Sequence, residues 1–577
     1  MTIEFQERAI DRHFAAFIGK QTSGEVNEIL RLVVSLASSA IGRGNLCLNL
    51  ADIAGQTVNL NGRELLLPRF DALLELVRSM SVVTGPGKHH RPLVLDAAGR
   101  LYLYRYWRYE HDLAMTILEK AAAVQEVFDE IKLQDAIERL FPDSADHRQK
   151  EAATVALRRQ FCVISGGPGT GKTSTVVRIL ALLLEQEGGT KQRIAMAAPT
   201  GKAAARLKRS VNDIRQTLNC SDEVKLAIPD NVVTIQRLLG SISGSTRFRH
   251  SARNPLPYDT IIIDEASMVA LPLMSALVAT LKPTARLILL GDRDQLASVE
   301  AGAVLGDICS AGEESPASPL STSLVVLEKN YRFQPGSGIA EISRAVNAGQ
   351  EMVALELLKA KTLSIIWQKM PAPENLRTAL ASAVAEGYQG YLEAASPAEA
   401  LERFDRFRIL CALRDGPYGV SGLNNVIEKI LARQELIAPS SLFYPKRPVL
   451  ITVNDYSMRL FNGDTGILFP DPDNGGLLRV FFPNPEGGVR SIPPERLPAH
   501  ETAYAMTIHK SQGSEFDRVL MLLPQVDSDL LTRELIYTGM TRAKKNVELW
   551  ANKEVFFSAV RRKTERNSGL KDALRWK

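Results

Sequence analysis

The sequence predicts an α/β protein with two parallel-sheet domains, a mainly helical N-terminal domain and a small all-β insertion in the second sheet domain. Between residues 126 and 322, β-like runs alternate with helical patterns, and the same alternation returns between residues 323 and 577. Such alternation is typical of parallel strands with helices on both faces. Between residues 445 and 498, β-like runs follow one another across turn clusters without a helix. A chain of 577 residues is also too long for one core.

Residues 1–125 form the predicted N-terminal domain, which we expect to dock on a partner protein. Helical patterns cover residues 25–41 and 70–80, and residues 100–109 alternate like a strand. That run is rich in aromatic residues, namely Tyr102, Tyr104, Tyr106, Trp107 and Tyr109. Alternating aromatic residues on a strand face a core or a protein partner more often than they stack on nucleic-acid bases, and we favour the former.

The strands that follow can be placed from their apolar runs. In the first α/β region they are residues 161–165, 193–198, 260–263 and 286–290. In the second they are residues 324–327, 407–413, 518–523 and 547–551. The insertion has β-like runs at residues 448–453, 466–469, 477–482 and 488–492. A Ser/Pro-rich stretch, residues 312–323, is the expected linker between the two α/β domains.

The composition argues against some classes of protein and permits others. No apolar run approaches the roughly 18 residues that a membrane helix needs, and the first residues are acidic rather than typical of a signal peptide. The five cysteines have no metal-ligand spacing, which favours reduced thiols in a cytoplasm. A formal charge of +5 permits a nucleic-acid partner without requiring one.

A phosphate-binding loop is the most informative motif. Gly166, Gly171, Lys172 and Thr173 fit the pattern G-x-x-x-x-G-K-[ST], between a β-like run and an apolar helical pattern. Glycines allow backbone N–H groups to surround phosphate oxygens at a helix N-terminus. Lys172 can reach the β- and γ-phosphates, and the Thr173 hydroxyl can hold Mg²⁺. The predicted ATP-binding loop comprises Gly166, Gly167, Pro168, Gly169, Thr170, Gly171, Lys172, Thr173 and Ser174.

Carboxylates and an amide follow the next buried strands. Asp264 and Glu265 end one strand, where Asp264 can hold Mg²⁺ and Glu265 can act as general base for the attacking water. The alternative is an acidic strand cap. Gln295 ends the following strand and can contact the γ-phosphate. Arg332 and Arg542, in the second α/β region, could act as arginine fingers, although surface arginines are common.

Taken in order, these motifs resemble the full motif set of superfamily 1 helicases of the 5′→3′ branch. The matching segments are residues 147–149, 166–173, 198–206, 264–267, 291–296, 331–332, 507–516 and 537–542. Three further runs are similar to the RecD family, the α subunits of exodeoxyribonuclease V (RecBCD): residues 291–308, 410–423 and 564–570. The resemblance covers residues 130–577 well and the first 125 residues loosely.

The resemblance implies two RecA-like (P-loop NTPase) domains, with the β insertion as an SH3-like module that guides the strand. It also implies further nucleotide contacts. Gln149 would read the adenine edge, Tyr331 would pack on the base, and Gly513 with Glu515 would couple the ribose and γ-phosphate side to DNA.

For DNA, the resemblance implies backbone contacts from Thr200, Lys202, Thr507 and His509. Gln236 stands where such helicases usually carry histidine, so we expect a modified DNA contact there.

Helicases of this family carry a β-hairpin, the pin, that splits the duplex. The resemblance implies that residues 241–257 form this hairpin. Here the segment is basic, and Arg247, Phe248, Arg249 and Arg253 are candidate fork contacts. The alternative for this segment is a solvated basic loop.

The expected function is an ATP-dependent 5′→3′ DNA helicase subunit of a RecBCD-type helicase–nuclease that acts on double-strand break ends in recombinational repair. Its implied partners are ATP, Mg²⁺, the single-stranded 5′ strand at a duplex end, and RecB- and RecC-like subunits in a cytoplasmic heterotrimer. We find no nuclease motif in the sequence. Two alternatives stay open, a free-standing 5′→3′ helicase and a chiefly structural subunit whose ATP site only switches conformation.

Overall fold

The computed structural model of the chain describes residues 2–22, 27–87, 90–124, 130–141, 146–186, 189–332, 338–360, 364–439, 441–455, 457–484 and 487–575. The predicted domain boundary near residue 125 lies outside these residues. Within the described ranges, no helix combines the length and apolar character that crossing a membrane requires.

The N-terminal domain is mainly helical, as predicted, and it adds two small sheets. Its helices are α1 (Ala9–Gln21), α2 (Glu28–Gly42), α3 (Phe70–Arg78) and α4 (Tyr104–Ala122). Its strands are β1 (Thr2–Phe5), β2 (Leu48–Asn49), β3 (Thr57–Leu60), β4 (Arg63–Leu66), β5 (Val83–Thr84), β6 (Leu93–Leu95) and β7 (Arg100–Leu103). They form sheets of order β1-β3-β4 and β2-β7-β6-β5.

The strand predicted for residues 100–109 is correct only as far as Leu103, because α4 begins at Tyr104. The aromatic side chains therefore project around a helix rather than alternating across a sheet. Tyr102 is fully buried, and the other four aromatic residues pack half-buried against the core of the first α/β domain. This agrees with the expected packing role, reached through different secondary structure.

The first α/β domain is a six-stranded parallel sheet of order β10-β9-β11-β12-β8-β13. Its strands are β8 (Phe161–Gly166), β9 (Ile194–Ala198), β10 (Val232–Thr234), β11 (Thr260–Ile263), β12 (Arg286–Gly291) and β13 (Leu324–Leu327). Its helices are α5 (Glu130–Leu140), α6 (His147–Arg158), α7 (Lys172–Glu185), α8 (Gly201–Thr217), α9 (Asp222–Ala227), α10 (Ile235–Leu239), α11 (Leu271–Val278) and α12 (Val304–Glu314).

The strands of this sheet are apolar throughout because both faces are covered. In β8, Phe161 and Val163 face one hydrophobic core, whereas Cys162 and Ile164 face the other. This division follows from the two-residue period of a strand. A continuous apolar run is therefore the expected sequence signature of β8.

The position of β13 corrects the predicted domain boundary. Residues 324–327 were assigned to the second α/β domain, but β13 pairs with β8 in the first sheet. Arg332, five residues beyond that strand, is consequently positioned by the first sheet rather than by the second. The predicted linker at residues 312–323 therefore precedes the last strand of the first sheet instead of separating the two domains.

The second α/β domain begins with helices α13 (Ile339–Asn347) and α14 (Glu351–Lys359). The chain continues through β14 (Ile365–Gln368), α15 (Leu376–Leu392), α16 (Pro397–Phe404), β15 (Phe407–Cys411) and α17 (Val420–Arg433). It then enters the all-β insertion, an antiparallel sheet of β16 (Pro448–Ile451), β17 (Thr465–Pro470), β18 (Leu478–Pro483), β19 (Val489–Ile492) and β20 (His500–Thr502).

The insertion sheet has the order β19-β18-β17-β16-β20, so it extends past the predicted limit of residue 498 to include β20. The parallel sheet then resumes with β21 (Ala505–Thr507), β22 (Phe516–Leu522) and β23 (Ala543–Trp550), in the order β14-β23-β22-β15-β21. The remaining helices are α18 (Arg533–Met540), α19 (Lys553–Arg561) and α20 (Leu570–Ala573).

We predict that Ile288→Ala destabilises the first α/β domain by about 2–5 kcal/mol, because it opens a cavity beside a central strand. Ile288 is fully buried on β12, which lies between β11 and β8. Urea unfolding of the purified chain measures the effect. The matched control is Leu226→Ala, a site that is 83% exposed. Equal shifts in the two variants would contradict this account of the core.

Candidate nucleotide and nucleic-acid site

The phosphate loop lies between β8 and α7, as the motif requires. Gly169 and Gly171 adopt φ values of 83° and 82°, in the left-handed region that side-chain-bearing residues rarely occupy. Gly171 is the N-cap of α7, so the helix N-terminus points into the loop. Backbone N–H groups and the helix dipole together make this loop suited to a phosphate anion.

Lys172 is held at the centre of the loop. Its Nζ donates hydrogen bonds to the carbonyl oxygens of Gly166 and Gly167 at 2.5 and 3.0 Å. Burial lowers the pKa of Lys172, and the negative charges of Asp292, Glu265 and Asp264 act in the opposite direction. These carboxylates therefore surround the lysine that is expected to meet the phosphates.

Asp264 and Glu265 follow β11 at the same edge of the sheet. Burial, with the charge of Glu265, raises the pKa of Asp264 to about 6. Glu265 has φ 50° and ψ 41°, a left-handed conformation that costs a non-glycine residue free energy. Such strain is typical of functional positions. The Glu265 carboxylate lies 3.7 Å from the guanidinium of Arg206.

Gln295 lies in the turn after β12 and belongs to a buried polar network. Its Nε2 donates to Asp292 Oδ2 at 3.0 Å, and the Tyr537 hydroxyl donates to the same oxygen at 2.8 Å. The Gln295 Oε1 atom is buried and has no hydrogen-bond partner among the described residues. A buried amide oxygen of this kind can accept a hydrogen bond from a bound water or ligand.

Glu515 joins arginines of the first α/β domain to the second. Its carboxylate lies 2.7 Å from Arg206 and 2.6 Å from Arg332. Burial alone would raise the pKa of Glu515, but the charges of Arg206 and Arg332 hold it at about 2. Glu515 therefore stays ionised at neutral pH and attracts Arg332 across the cleft.

Two further residues approach the loop from the second α/β domain. The Tyr537 hydroxyl lies 3.0 Å from the place that a Cβ on Gly167 would occupy. Arg542 is buried, and its guanidinium donates to the carbonyl oxygens of Ser514 and Thr538 at 3.2 and 3.1 Å. The charges of Glu265 and Glu515 act on its pKa, which burial lowers. The candidate nucleotide cleft thus has walls from both domains.

The expected adenine-side residues lie at the opposite end of the loop. Gln149 Nε2 donates to the Thr170 carbonyl oxygen at 3.1 Å. The Tyr331 backbone N–H donates to the Gly169 carbonyl oxygen at 2.8 Å, and its side chain is 45% exposed. Both residues therefore adjoin the phosphate loop, and a half-exposed tyrosine ring offers a face on which a base can pack.

The expected DNA contacts lie at the carboxyl ends of strands in both sheets. Thr200 follows β9, and its hydroxyl accepts from the Ala203 N–H as the N-cap of α8. Thr507 ends β21, and its hydroxyl accepts from the Lys510 N–H. Burial lowers the pKa of Lys202, and burial followed by the charge of Arg566 lowers that of His509. Gly513 has φ 73°, beside Ala203 of α8, so this glycine brings the two domains together.

The predicted β-hairpin is only partly formed. Residues 241–257 contain two isolated antiparallel bridges, Ser241 with Phe248 and Ser251 with Asn254, instead of a continuous ladder. Arg247 and Arg249 are exposed, whereas Phe248 packs half-buried against the domain core. Phe248 is therefore less available for base stacking than the sequence suggested. Gln236 lies on α10, where its carbonyl oxygen accepts from Ser241.

Sequence reasoning assigned no role to two site residues, Arg206 and Asp292. Both lie inside segments that had been recognised, residues 198–206 and 291–296. Their signal was a charged residue close to the end of a buried strand or on the helix after it. Their partners in the second α/β domain, Glu515 for Arg206 and Tyr537 for Asp292, lie far away in the sequence, so the sequence could not pair them.

Comparison of the sequence with known proteins shows the family to which the chain belongs. The chain is 39% identical over 566 residues to the RecBCD enzyme subunit RecD of Mycobacterium tuberculosis, covering 96% of this chain and 92% of that protein. The chain belongs to the RecD family. The corresponding subunit of Haemophilus influenzae is 34% identical, with 87% of this chain and 84% of that protein covered.

Family models agree with this membership. The N-terminal domain model of the RecBCD enzyme subunit RecD matches residues 7–102, an AAA domain model matches residues 149–301, and a UvrD-like helicase C-terminal domain model matches residues 502–549. The ATP-dependent RecD2 DNA helicase of Deinococcus radiodurans is 30% identical over 72% of this chain and 50% of that protein. The chain is thus a superfamily 1 helicase subunit of the RecD type with an ATP-using P-loop fold.

A solved Pif1 helicase from Bacteroides, in complex with ADP-AlF3 and ssDNA, is 17% identical and covers 72% of this chain and 94% of that chain. Its TM-score is 0.39, too low to add to the sequence matches.

We predict that Lys172→Gln abolishes ATP hydrolysis and leaves the fold intact, because it removes the charge that meets the phosphates while keeping a side chain of similar length. Steady-state ATP hydrolysis and a thermal melt measure the two effects. Lys191→Gln, at an exposed site, is the matched charge control. Wild-type turnover in Lys172→Gln would exclude this loop as the hydrolytic site.

Proposed function

We propose that this chain is the 5′→3′ DNA helicase and translocase subunit of a RecBCD-type helicase–nuclease that acts at double-strand break ends in recombinational repair. The observation that supports it most strongly is the convergence of both α/β domains on one cleft. The phosphate loop and Glu265 come from the first domain, whereas Tyr537, Glu515 and Arg542 come from the second. A motor needs a nucleotide site of this kind, because ATP binding can then change the relation between the two domains.

The proposed hydrolysis assigns one role to each charged residue of the cleft. Glu265 deprotonates the attacking water, and the Gln295 Oε1 atom accepts a hydrogen bond from it. Lys172 stabilises the β- and γ-phosphates. Arg332 and Arg542 stabilise the charge that develops on the γ-phosphate, an effect that raises kcat by about 10³- to 10⁵-fold for arginine fingers. Arg332 must leave Glu515 to do so, and the γ-phosphate is the competing anion.

The residues at the loop also fit a magnesium ion. Mg²⁺ prefers oxygen ligands and would neutralise phosphate charge. Asp264 and Thr173 supply such oxygens, one at the end of β11 and one in the first turn of α7. Burial and the charge of Glu265 raise the pKa of Asp264, and a divalent cation bound beside this carboxylate would favour its ionised form.

The proposed DNA track crosses the carboxyl ends of both sheets. Thr200 and Lys202 lie at the N-cap and in the first turn of α8 in the first domain, whereas Thr507 ends β21 and His509 follows it in the second. Hydroxyls and backbone amides at such ends bind DNA phosphates independently of base sequence. If the two domains bind the DNA strand alternately as the cleft closes and opens, the chain would move along that DNA strand.

The partners of the proposed complex are RecB- and RecC-like subunits in a cytoplasmic heterotrimer. Support comes from the family model matched by residues 7–102 and from relatives named as RecBCD enzyme subunits. These matches favour a subunit of such a complex over a free-standing helicase, because the RecBCD subunits are matched over most of their length, whereas the ATP-dependent RecD2 DNA helicase is matched over half of its length. The complete set of catalytic residues argues against a purely structural switch.

The decisive test is strand displacement by the purified chain on duplexes with a 5′ or a 3′ single-stranded tail. We expect ATP-dependent unwinding from the 5′ tail only, and none with Lys172→Gln. Unwinding from the 3′ tail alone would contradict the proposed direction. If neither duplex is unwound, co-purification with RecB- and RecC-like subunits tests whether the motor needs its partners.

A second prediction concerns the basic segment at residues 241–257. The double substitution Arg247→Ala and Arg249→Ala removes two exposed charges. If both contact phosphates, the slope of log K against log salt for duplex-end binding falls by about 1.8, at roughly 0.9 per contact. The control is Arg12→Ala with Arg31→Ala, which removes the same charge from exposed sites on N-terminal helices. An equal loss in both double variants would indicate a general charge effect instead.

A further inference from the structure

The last described residues of the chain cross between the two α/β domains. We call residues 562–575 the C-terminal strap. The strap follows α19, whose buried face packs in the core of the second α/β domain. It contains α20, and Leu570 of that helix and Leu574, which follows it, belong to the core of the first α/β domain. One short segment is therefore anchored in both domains.

On the second domain, the strap is held at the start of α18. The Thr564 backbone N–H and hydroxyl both donate to Glu534 Oε2, at 3.0 and 2.8 Å. Arg562 adds an ion pair with Asp527 at 2.7 Å. Helix α18 also carries Tyr537, which bonds Asp292, and Thr538, whose hydroxyl accepts from the Leu296 N–H at 3.0 Å.

On the first domain, the strap is held by Arg566. Its guanidinium donates to three carbonyl oxygens of the loop at residues 298–302: Ser298 at 2.6 Å, Glu300 at 2.9 Å and Gly302 at 2.7 Å. This loop begins three residues after Gln295. Because it has no regular secondary structure, its carbonyl groups need donors from elsewhere, and one planar guanidinium supplies several in fixed directions.

The distance between these two anchors is short. From Thr564 to Arg566 the chain advances two residues, a reach of at most roughly 7 Å. The loop at residues 298–302 therefore cannot move far from α18 while both anchors hold. The same loop touches the N-terminal domain, since the Gly302 N–H donates to the Gly44 carbonyl oxygen at 3.0 Å.

We propose that Arg566 is a positioning residue for ATP hydrolysis: by tying the loop at residues 298–302 to α18, it keeps Gln295 aligned with Tyr537 when the cleft closes on nucleotide. This rests on the proposed function of the cleft. The contacts of Arg566 in the described part of the chain are with the loop at residues 298–302 and not with the phosphate loop, so it acts through the segment between Gln295 and Gly302. Its loss disturbs alignment during turnover rather than nucleotide binding.

The test compares Arg566→Ala, Arg566→Lys and Arg575→Ala in steady-state ATP hydrolysis with and without oligo(dT). Arg575 lies on the same strap but pairs with Glu314 at 2.7 Å and makes no contact with the loop in the described structure. We expect Arg566→Ala to lower kcat at least tenfold with KM for ATP within twofold of wild type. Arg566→Lys should recover part of kcat, and Arg575→Ala should match wild type. A kcat within twofold of wild type in Arg566→Ala would overturn the proposal, as would a rise in KM that accounts for the whole loss.

Amide hydrogen exchange gives a readout that does not need unwinding. In wild type, ADP with beryllium fluoride should slow exchange at residues 298–302 and at residues 566–570 together. In Arg566→Lys the slowing at residues 566–570 should be reduced, and in Arg566→Ala, if its thermal midpoint is preserved, it should be lost. Slowing equal to that of wild type in Arg566→Lys would overturn the proposal. A wild-type chain that shows this exchange pattern but unwinds no duplex, even with partners, would reject the proposed helicase function alone.

Discussion

The candidate site depends on the ion pairs that the carboxylate of Glu515 makes with Arg206 and Arg332. This carboxylate is largely buried between two arginines of the first α/β domain, and those positive charges keep it ionised. Because a buried charge without a partner is costly, the ion pairs hold the two domains together across the nucleotide cleft. One of these ion pairs occupies Arg332. In the mechanism that we propose, a γ-phosphate that attracts Arg332 away from Glu515 would also change the contact between the domains.

The turn after β12 is the second place where the domains meet. Asp292 receives hydrogen bonds from Gln295 and Tyr537, and Leu296 bonds to Thr538 and, through its carbonyl oxygen, to Gln512. This turn continues into the loop that the C-terminal strap holds. A single stretch of about ten residues therefore contacts the nucleotide cleft, the second α/β domain and the N-terminal domain.

The differences between prediction and structure have identifiable causes. Residues 104–109 were predicted as a strand because their aromatic residues alternate, but they form the start of α4. Aromatic residues at alternate positions also suit a helix that packs on several sides. Pairing partners are not encoded locally, so β13 was placed in the wrong sheet although its bounds were predicted correctly. The basic segment after α10 forms isolated bridges because turn residues interrupt it, whereas its family placement suggested a longer hairpin.

The sequence by itself determined the two parallel-sheet domains, the all-β insertion and the phosphate loop. It also determined that Asp264, Glu265 and Gln295 follow buried strands of the same domain. It could do so because apolar strands, glycine conformations and strand-end carboxylates are local requirements. Only the tertiary structure decided that Arg206 and Arg332 share Glu515, that Asp292 meets Tyr537, and that Arg566 holds the loop after Gln295. Those pairs join residues up to several hundred positions apart, and their energies depend on burial that only the packed domains create.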